Sequence, residues 1–450
     1  MHSPGPTGLK KEAAQEAASF LRRTPAFSRG NVPDATIMAE ASEKASGFLK
    51  FRRENVDMFV SRYAGFIMKW PLLKLPPGLL RTDGIPGLSG FRTRYPIALD
   101  LFEGEIQALQ LQKTVKGLGV KAIFRCEAEE AAESSGAGGP ACWKRIRKSG
   151  FSGRSAVAHV PAQDISVFPI RFQIEGRETL EGAIVRESRR HLPFQIEEAV
   201  LDYPCVTPCT NGSEAAESYK AIVIAVHREK IKEYLAEMEK TGFIVEALEY
   251  GVCSLIRLHS YLHTIESEPV ILCHIGRKNS IITVANRESI LGQRTISFGF
   301  DAISDRIASN FGLSGNLRGI VSLLKKYGLA FDQETKTDRK KEGENSGVYR
   351  AFYQVITPRV DEMIHEVHKL VSYVRAEGQN PAFKAIYFYG YGALINGLEA
   401  YVEKRMNIPV KSSDPFSGIN PGKEAAVDEI PQGAPVALMM GLALRKVPWV

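Results

Sequence analysis

The sequence predicts an α/β fold of two related halves, with a smaller α+β unit inserted in the first half. Short apolar runs rich in β-branched residues recur from Tyr95 onward, and helical patterns separate them. The order of strands, tight turn and helices then repeats from residue 270. A chain of 450 residues also exceeds the size of one ordinary core, so more than one domain is expected.

The composition is that of a globular protein, with 44% hydrophobic and 24% charged residues. No apolar run reaches the roughly 20 residues that a membrane-spanning helix needs. The start of the chain lacks the apolar centre of a secretory signal. The sequence therefore predicts a cytoplasmic protein.

The positive charge is concentrated in an extension at the start of the chain. Residues 1–94 contain 15 of the 58 lysines and arginines but only 8 of the 51 acidic residues, so the net charge of +7 arises there. Residues 48–69 show apolar side chains at helical spacing with basic ones between them, which predicts an amphipathic helix, and a Pro- and Gly-rich linker follows.

This helix is expected to dock on the folded body, or else to contact anionic lipid or a partner. A nucleic-acid binder would more often carry a basic stripe interleaved with aromatic residues on its folded body, so no nucleic-acid partner is expected.

The cysteine and histidine patterns predict no metal site. The six cysteines lack paired CxxC spacing, and several lie in apolar runs, which favours buried free thiols. His365, Glu366 and His368 lie close together in HEVH, but this spacing is not that of an HExxH zinc motif. A solvated helix face is expected there.

The first half is predicted to comprise residues 95–161 and 249–268. YPIALDL and EIQALQLQK are predicted strands on either side of a turn at residues 102–104, and GVKAIFRCE and SAVAHVP are further strands. The inserted unit is predicted over residues 162–248. Its strand, helix and strand patterns begin with DISVFPIRFQI and end with KAIVIAVHREKIKEYLAEMEKTGFIVEALEY.

The second half is predicted over residues 269–450. PVILCHIG, SIITVANRES and LGQRTISFG predict a meander, and DAISDRIASNF and VDEMIHEVHKLVSYVRA predict helices. A strand at KAIYFYG, a turn, and helices at LINGLEAYVEKRM and APVALMMGLALRK complete it. Two such halves around a cleft, each with a glycine turn, describe the architecture of the actin and sugar-kinase group.

With these segments in order, residues 95–447 resemble the PilM family of type IV pilus assembly, which is actin-like and similar to the division protein FtsA. In LEGAIVRESRRHLPFQIEEAVLDYPCV the family has a helix ending in "iPf" and a strand opening with "Dy". The phrases GAPVALMMGLALR, EALEYGVCSLIRL, DPFSGI and QRTISFGFDAIS also fall in the family's order. The resemblance implies an actin-like (ribonuclease H-like duplicated) two-lobed fold with an inserted α+β subdomain.

The resemblance also implies a nucleotide cleft, and its first phosphate turn corresponds to residues 100–107. The family has Asp-Ile-Gly followed by hydroxylated residues and a lysine. Here Asp100 is retained and Gly104 lies in the turn, but Phe102 replaces the glycine and Gln107 the lysine. Two glutamates also stand at hydroxyl positions, which reverses the charge that would balance a phosphate.

The second phosphate turn, Asp-Ile-Gly in the family, corresponds to His274, Ile275 and Gly276. Neutral imidazole is a poor magnesium ligand, because magnesium prefers oxygen. Arg277, Lys278 and Ser280 could still attract an anion, and Gly299 of QRTISFGFDAIS is assigned to the same cleft.

Two further sites of the cleft also depart from the family's pattern. The ribose-contacting helix, Ala-Glu-x-x-Lys in the family, retains Lys325 but lacks the glutamate. The adenine-side turn, Gly-Gly-Gly-Ala in the family, is Gly390, Tyr391, Gly392 and Ala393, where a tyrosine either fills the base's space or points away. These departures predict weak or absent binding of ATP and magnesium, no efficient hydrolysis and no catalytic residue.

The resemblance implies a non-enzymatic scaffold peripheral to the cytoplasmic face of the inner membrane. It would hold a short cytoplasmic peptide of a PilN-like inner-membrane protein between the first lobe and the inserted unit. Other pilus or secretion-platform components would be further partners, and a homo-oligomer is open. The alternatives are an ATP-dependent actin-like switch and an FtsA-like filament tethered through residues 48–69.

Overall fold

The structure is a computed structural model, and it describes residues 95–101, 105–115, 117–127, 145–204, 206–209, 218–287, 289–312, 317–330, 346–377, 381–420 and 436–445. The chain divides into two compact units, residues 1–69 and 70–450, and every described residue belongs to the second. The predicted amphipathic helix at 48–69 and the linker after it lie outside the described residues.

Strands and helices are numbered along the described chain. The strands are β1 Ile97–Asp100, β2 Glu105–Thr114, β3 Gly117–Glu127, β4 Ser155–His159, β5 Ile165–Gln173, β6 Ala199–Asp202, β7 Val206–Cys209, β8 Ser218–His227, β9 Ile244–Glu249, β10 Val270–Ile275, β11 Ser280–Ala285, β12 Ile290–Ile296, β13 Ile386–Gly390 and β14 Val410–Ser412. The helices are α1 Leu180–Ser188, α2 Arg228–Glu239, α3 Gly251–Leu262, α4 Phe300–Phe311, α5 Leu317–Lys326, α6 Ser346–Glu377, α7 Leu398–Met406 and α8 Ala437–Ala443.

Two five-stranded sheets have the same strand order, which confirms the predicted duplication. In the first sheet, β3-β2-β1-β4-β9, β1 to β3 form an antiparallel meander, and β4 and β9 run parallel to β1. In the second sheet, β12-β11-β10-β13-β14, the strands β10 to β12 form the meander, and β13 and β14 run parallel to β10.

The inserted unit contains a four-stranded antiparallel sheet in which β8 pairs with β5, β6 and β7. Phe168, Ile170 and Phe172 alternate along β5 and pack against the buried face of α1. Thr179 begins this helix, because its hydroxyl accepts a hydrogen bond from the Gly182 N–H. The sequence interpretation also placed β9 in this unit, but β9 pairs with β4 in the first sheet.

The central strand β10 is covered on both faces, which explains why all six of its residues are buried. Ile271, Cys273 and Ile275 face a core formed with α4, α6 and α7. The alternating residues Leu272 and His274 face the opposite side, toward α3.

A pair of closely packed helices, α3 and α8, lies beside both sheets. The helix α8 packs on β1, β2 and β4 of the first sheet, while α3 contacts β10 and β11 of the second. A Cβ on Gly441 of α8 would come within 2.1 Å of the Ser254 carbonyl oxygen of α3, so the two backbones are in direct contact. The sequence interpretation had assigned residues 269–450 to the second half alone; α8 instead covers the first sheet.

None of the helices in the described ranges combines the length and apolarity needed to cross a bilayer. His365 and His368 are exposed on α6, as the sequence predicted. Cys126 and Cys273 are buried free thiols, and Cys209 and Cys253 are free and partly buried. Within the described chain, no group of three or more histidine, cysteine or acidic side chains is arranged to hold a metal ion.

Candidate functional site

The carboxyl ends of β1, β4 and β10 meet at one small cavity between the two sheets. Asp100, His159 and His274 line it from these three strands, and Gln107 lines it from β2. The helices α3 and α8 complete the wall with Gly251, Leu438 and Met439. The cavity therefore lies among residues that the resemblance assigns to the cleft.

The cavity volume is about 60 Å³. Small-molecule sites typically enclose about 300–1,000 Å³. A cavity of this size has room for a few water molecules, each of which occupies about 30 Å³ in the liquid. The cavity is therefore smaller than a typical small-molecule site.

Two buried histidines face this cavity with their rings uncharged. Burial and the neighbouring His159 lower the pKa of His274 to about 3. Burial also lowers the pKa of His159 to about 4, although Glu249 partly offsets the effect. Both imidazoles are therefore neutral at pH 7. Among the described residues, His159 Nδ1 and His274 Nε2 are buried without a hydrogen-bond partner.

The tautomer of His159 follows from its hydrogen bonds. The Ser254 hydroxyl donates to Glu249 Oε1 at 2.8 Å, and Ser254 Oγ lies 2.9 Å from His159 Nε2. Because the serine has only one hydroxyl proton, His159 must donate through Nε2, and its Nδ1 lone pair is left unprotonated. A buried lone pair in a cavity that Asp100 and Gln107 also line is suited to a water molecule or another donor.

A buried ion cluster anchors this chain of hydrogen bonds. Glu249 is 5% exposed and lies 2.8 Å from Arg257 Nη2 and 2.6 Å from Arg445 Nη1. Burial opposes the ionisation of Glu249, but both guanidinium groups and the Ser254 hydroxyl hold its pKa below the usual value. Arg257 also donates to the Gly441 carbonyl at 2.8 Å, so the cluster fastens α8 to α3.

The turn after β10 uses its own polar groups. The Gly276 N–H donates to the Asn279 carbonyl at 3.0 Å. At the start of α4, the N–H of Phe300 donates to the Gly276 carbonyl, and that of Asp301 donates to the Arg277 carbonyl, both at 2.9 Å. A helix N-terminus binds phosphate through such N–H groups. Here they bind carbonyl oxygens of the turn.

The polar side chains of this turn also have partners within the protein. Arg277 Nε donates to Asp301 Oδ1 at 3.0 Å. Ser280 is buried, and its hydroxyl donates to the Phe298 carbonyl at 2.6 Å. Lys278 is exposed. Of the three residues predicted to attract an anion, Arg277 alone lines the cavity.

Three of the predicted glycines pack tightly on this turn. A Cβ on Gly299 would lie 2.1 Å from the Arg277 carbonyl oxygen, and one on Gly390 would lie 2.3 Å from the Ile275 carbonyl oxygen. Gly390 also has a φ of +67°, which favours glycine. A Cβ on Gly392 would lie 2.7 Å from Ile275 Cδ1. These glycines therefore allow the close packing of the two segments, whether or not a ligand binds.

Tyr391 occupies the adenine-side turn with its ring turned inward. It is 2% exposed, and its ring stacks on Phe300 with centroids 4.5 Å apart. Arg125 Nη2 of β3 donates to the Tyr391 hydroxyl at 2.6 Å. The ring is thus packed within the second half and bonded to the first half through its hydroxyl.

A second hydrogen bond joins the halves at the rim of the cleft. Asn279 Nδ2, in the turn of the second half, donates to Gln163 Oε1 at 3.2 Å. Gln163 lies in the short 3₁₀ turn after β4. Together with Arg125 and Tyr391, this pair links the two sides of the cleft directly.

The structure brings together five of the twelve residues that sequence reasoning assigned to the cleft: Asp100, Gln107, His274, Gly276 and Arg277. Ser280, Gly299, Gly390 and Gly392 support the second turn, as described above. Lys325 is exposed on α5 and does not line the cavity, and Gly104 lies outside the described residues. Sequence reasoning missed His159 and Glu249, although each is a polar residue that ends an apolar strand.

A family model described as type IV pilus assembly protein PilM matches residues 141–447. The chain belongs to this PilM family. No curated protein matches the sequence.

Solved structures support the fold of this PilM family member. A PilM–PilN type IV pilus biogenesis complex matches with a TM-score of 0.60 at 18% identity, covering 78% of this chain and 98% of that chain. Ethanolamine utilization protein EutJ from Carboxydothermus hydrogenoformans matches at 0.41 and 11% identity, covering 79% and 90%. MreB5 of Spiroplasma citri bound to ADP matches at 0.39 and 12%, covering 78% and 95%. The match to the PilM–PilN complex and the repeated strand order of the two sheets support the two-lobed, actin-like fold of this chain.

Proposed function

We propose that this protein is a cytoplasmic scaffold of a type IV pilus or type II-like secretion platform. In this role it binds a short cytoplasmic peptide of a PilN-like inner-membrane protein and does not hydrolyse ATP. Membership of the PilM family supports the assignment to pilus assembly. The proposal that the protein does not hydrolyse ATP rests on the hydrogen bonds and ion pairs that the cleft residues make within the protein.

The cleft supports this proposal because groups that the resemblance assigns to nucleotide contact are bonded within the protein. The Tyr391 ring stacks on Phe300, and the first N–H groups of α4 are bonded to the turn before it. Arg277 is paired with Asp301. These contacts, with the bond between Arg125 and Tyr391, support a cleft that does not hold magnesium-ATP.

Direct titration of the full chain with magnesium-ATP tests this part of the proposal. Isothermal titration calorimetry is expected to detect no binding up to millimolar ATP, and phosphate release is expected to stay at the buffer rate. A dissociation constant in the low micromolar range would favour the ATP-dependent switch instead. Actin-like filaments would be revealed by sedimentation with and without ATP.

The inserted sheet offers a partly covered apolar face for the peptide. Val167, Pro169 and Ile222 lie on the face of β5 and β8 opposite to α1, because the register pairs Pro169 with Ile222 and Val167 with Ile224. Val167 and Ile222 are half-buried, and Pro169 is exposed. Pockets for alternate apolar side chains are a common way to bind extended peptides.

Fluorescence anisotropy with a labelled peptide tests the partner assignment. The probe is the cytoplasmic segment of the PilN-like protein from the same organism, and a scrambled peptide is the control. Saturable binding is expected, and Ile222→Glu is expected to weaken it about tenfold or more, since it places a charge in an apolar pocket. Val185→Glu, at an exposed position of α1 on the other side of the sheet, should leave the affinity unchanged. Equal binding of the scrambled peptide would overturn the assignment.

A further inference from the structure

Exposed apolar side chains gather at one edge of the first sheet. Among the described residues, six large apolar side chains are exposed, and three of them, Val115, Ile244 and Tyr261, lie at this edge. Ile244 is the first residue of β9, and Val115 is in the β2–β3 turn. Tyr261 is in the last turn of α3. It lies close to Tyr95, just before β1: the pKa of Tyr95 is raised by the burial of Tyr95 and, to a smaller extent, by the nearby Tyr261.

These positions share an edge because of the strand directions. β1, β4 and β9 are parallel, so their first residues lie side by side. Ile97, the first residue of β1, pairs with Gln110, and β2 continues four residues beyond this point to Thr114. The turn at Val115 therefore projects from the edge at which β1 begins.

A basic segment without acidic residues lies at the same edge. Residues 145–154 contain four basic and no acidic residues, and the side chains of Arg147, Lys148 and Arg154 are exposed. Gln110 fixes the segment beside Tyr95, since its Nε2 donates to the carbonyls of Tyr95 at 3.0 Å and Ser152 at 2.8 Å. Its Oε1 accepts from the Ser152 N–H at 2.8 Å.

The exposed residues at this edge form what we call the basal patch: Val115, Arg147, Lys148, Arg154, Ile244 and Tyr261. Nearby, Arg145 lies over the Phe124 ring, Lys240 is paired with Glu237, and Arg154 donates through Nε to the Gly242 carbonyl at 3.0 Å. The patch thus combines three apolar or aromatic side chains with three exposed cations. Such a combination is typical of surfaces that rest on an anionic bilayer.

The chain also enters the folded body at the basal patch. Tyr95 directly follows the extension of residues 1–94, whose sequence accounts for the net charge of +7. The exposed cations Arg147, Lys148 and Arg154 give this edge of the folded body a positive charge. Charge complementarity selects an anionic partner for this end.

We propose that the basal patch docks on an anionic lipid surface. The proposal rests on the proposed function for the placement of the protein beside a membrane. Arg147, Lys148 and Arg154 then face the lipid headgroups, and Val115, Ile244 and Tyr261 enter the interfacial layer. Each cation near an anionic bilayer favours partitioning by about fivefold.

Vesicle sedimentation with the full chain tests the proposal. The vesicles are phosphatidylcholine alone or phosphatidylcholine mixed with phosphatidylglycerol. The wild type is expected to sediment with the anionic vesicles only, and less so in high salt. The charge-reversal variant Arg147→Glu/Lys148→Glu is expected to lower the partition coefficient about tenfold or more. The variant Val115→Ser is expected to lower it with little effect on folding, because this side chain is fully exposed.

The matched control, Arg177→Glu/Arg306→Glu, reverses the charge of two exposed arginines outside the basal patch. It is expected to bind anionic vesicles as the wild type does. If the basal variants bind anionic vesicles as tightly as the wild type, the extension alone accounts for lipid binding and the proposal is wrong. Equal binding to neutral vesicles, or binding to nucleic acid in place of anionic vesicles, would also overturn it.

The same variants are assayed with the labelled PilN-like peptide. Normal peptide affinity with lost vesicle binding supports the basal patch as a separate surface. Normal vesicle binding with no peptide binding in the wild type would contradict the proposed function and leave the basal patch supported.

Discussion

At the scale of single residues, His274 links the cleft to the pH dependence of stability. Its pKa is about 3 in the folded protein, against an ordinary value near 6.5. Between these values the unfolded state binds one more proton than the folded state, so the free energy of unfolding rises with pH. The stabilisation is complete above about pH 6.5 and is lost as the pH falls below that value.

We therefore expect the wild type to lose stability more steeply than His274→Leu between pH 6 and pH 4.5. The difference in slope should approach about 1.4 kcal/mol per pH unit, the effect of one proton. Urea unfolding followed by circular dichroism at several pH values measures it. Other titrating groups, such as Asp202, whose pKa burial raises to about 6, are present in both proteins and cancel in the comparison. Parallel pH profiles would show that His274 is not buried as a neutral ring.

Tyr391 is the second residue whose role can be tested singly. Tyr391→Phe retains the stacking on Phe300 but removes the hydroxyl that accepts from Arg125. A lost hydrogen bond to a charged group should cost about 1.5 kcal/mol in the free energy of unfolding. Tyr373→Phe removes a hydroxyl from a partly exposed ring and should cost almost nothing. Equal stability of both variants would mean that the Arg125 contact does not hold the halves together.

At the scale of elements, the contact between α3 and α8 depends on Gly441. Alanine is usually preferred over glycine in a helix by about 1 kcal/mol. Here a Cβ would lie 2.1 Å from the Ser254 carbonyl oxygen, so we expect Gly441→Ala to destabilise the protein by about 2 kcal/mol or more. Thermal unfolding measures the change.

Gly347 provides the matched control for this substitution. It lies in the first turn of α6, and a Cβ there would meet no heavy atom within 4 Å. Gly347→Ala should therefore leave the protein unchanged or stabilise it slightly, by up to about 1 kcal/mol. If Gly441→Ala also left the stability unchanged or raised it, the backbones of α3 and α8 would not be in direct contact at this position.

At the scale of the whole molecule, the sequence predicts the positions of the strands well, but it predicts less well which distant segments pair or pack with them. The meander of the second half follows from β-branched runs and turn signals, which are local. The membership of β9 in the first sheet and the packing of α8 depend on contacts between distant segments. Glu249 and Arg445, for example, are 196 residues apart and share an ion pair. No local pattern specifies such a pair.

The candidate cleft shows the same limit. The resemblance assigned two phosphate turns, and five of the residues assigned to the cleft line one cavity. The direction of the Tyr391 ring and the bonding of Arg277 to Asp301 depend on which side chains surround them after folding. Sequence alone could therefore indicate an altered cleft but not its internal hydrogen bonds.

The closed cleft gives the last prediction, which separates a scaffold from a switch. Gln163 and Asn279 face each other across the rim of the cleft. Replacing both with cysteine and joining them with a short bismaleimide would hold the two halves together. A ligand can shift a conformational equilibrium only through different affinities for its two states. If the scaffold binds its peptide in the closed form, cross-linking should change the peptide affinity by less than about twofold.

The single-cysteine variants and the parent chain, treated with the same reagent, control for modification of Cys209 and Cys253, which are partly buried. A large loss of peptide affinity only in the cross-linked double variant would show that the cleft must open for binding. That result would favour the actin-like switch, because opening and closing of the cleft would then control the partner. Retained affinity would instead mean that the hydrogen bonds across the cleft hold the binding-competent form without a nucleotide.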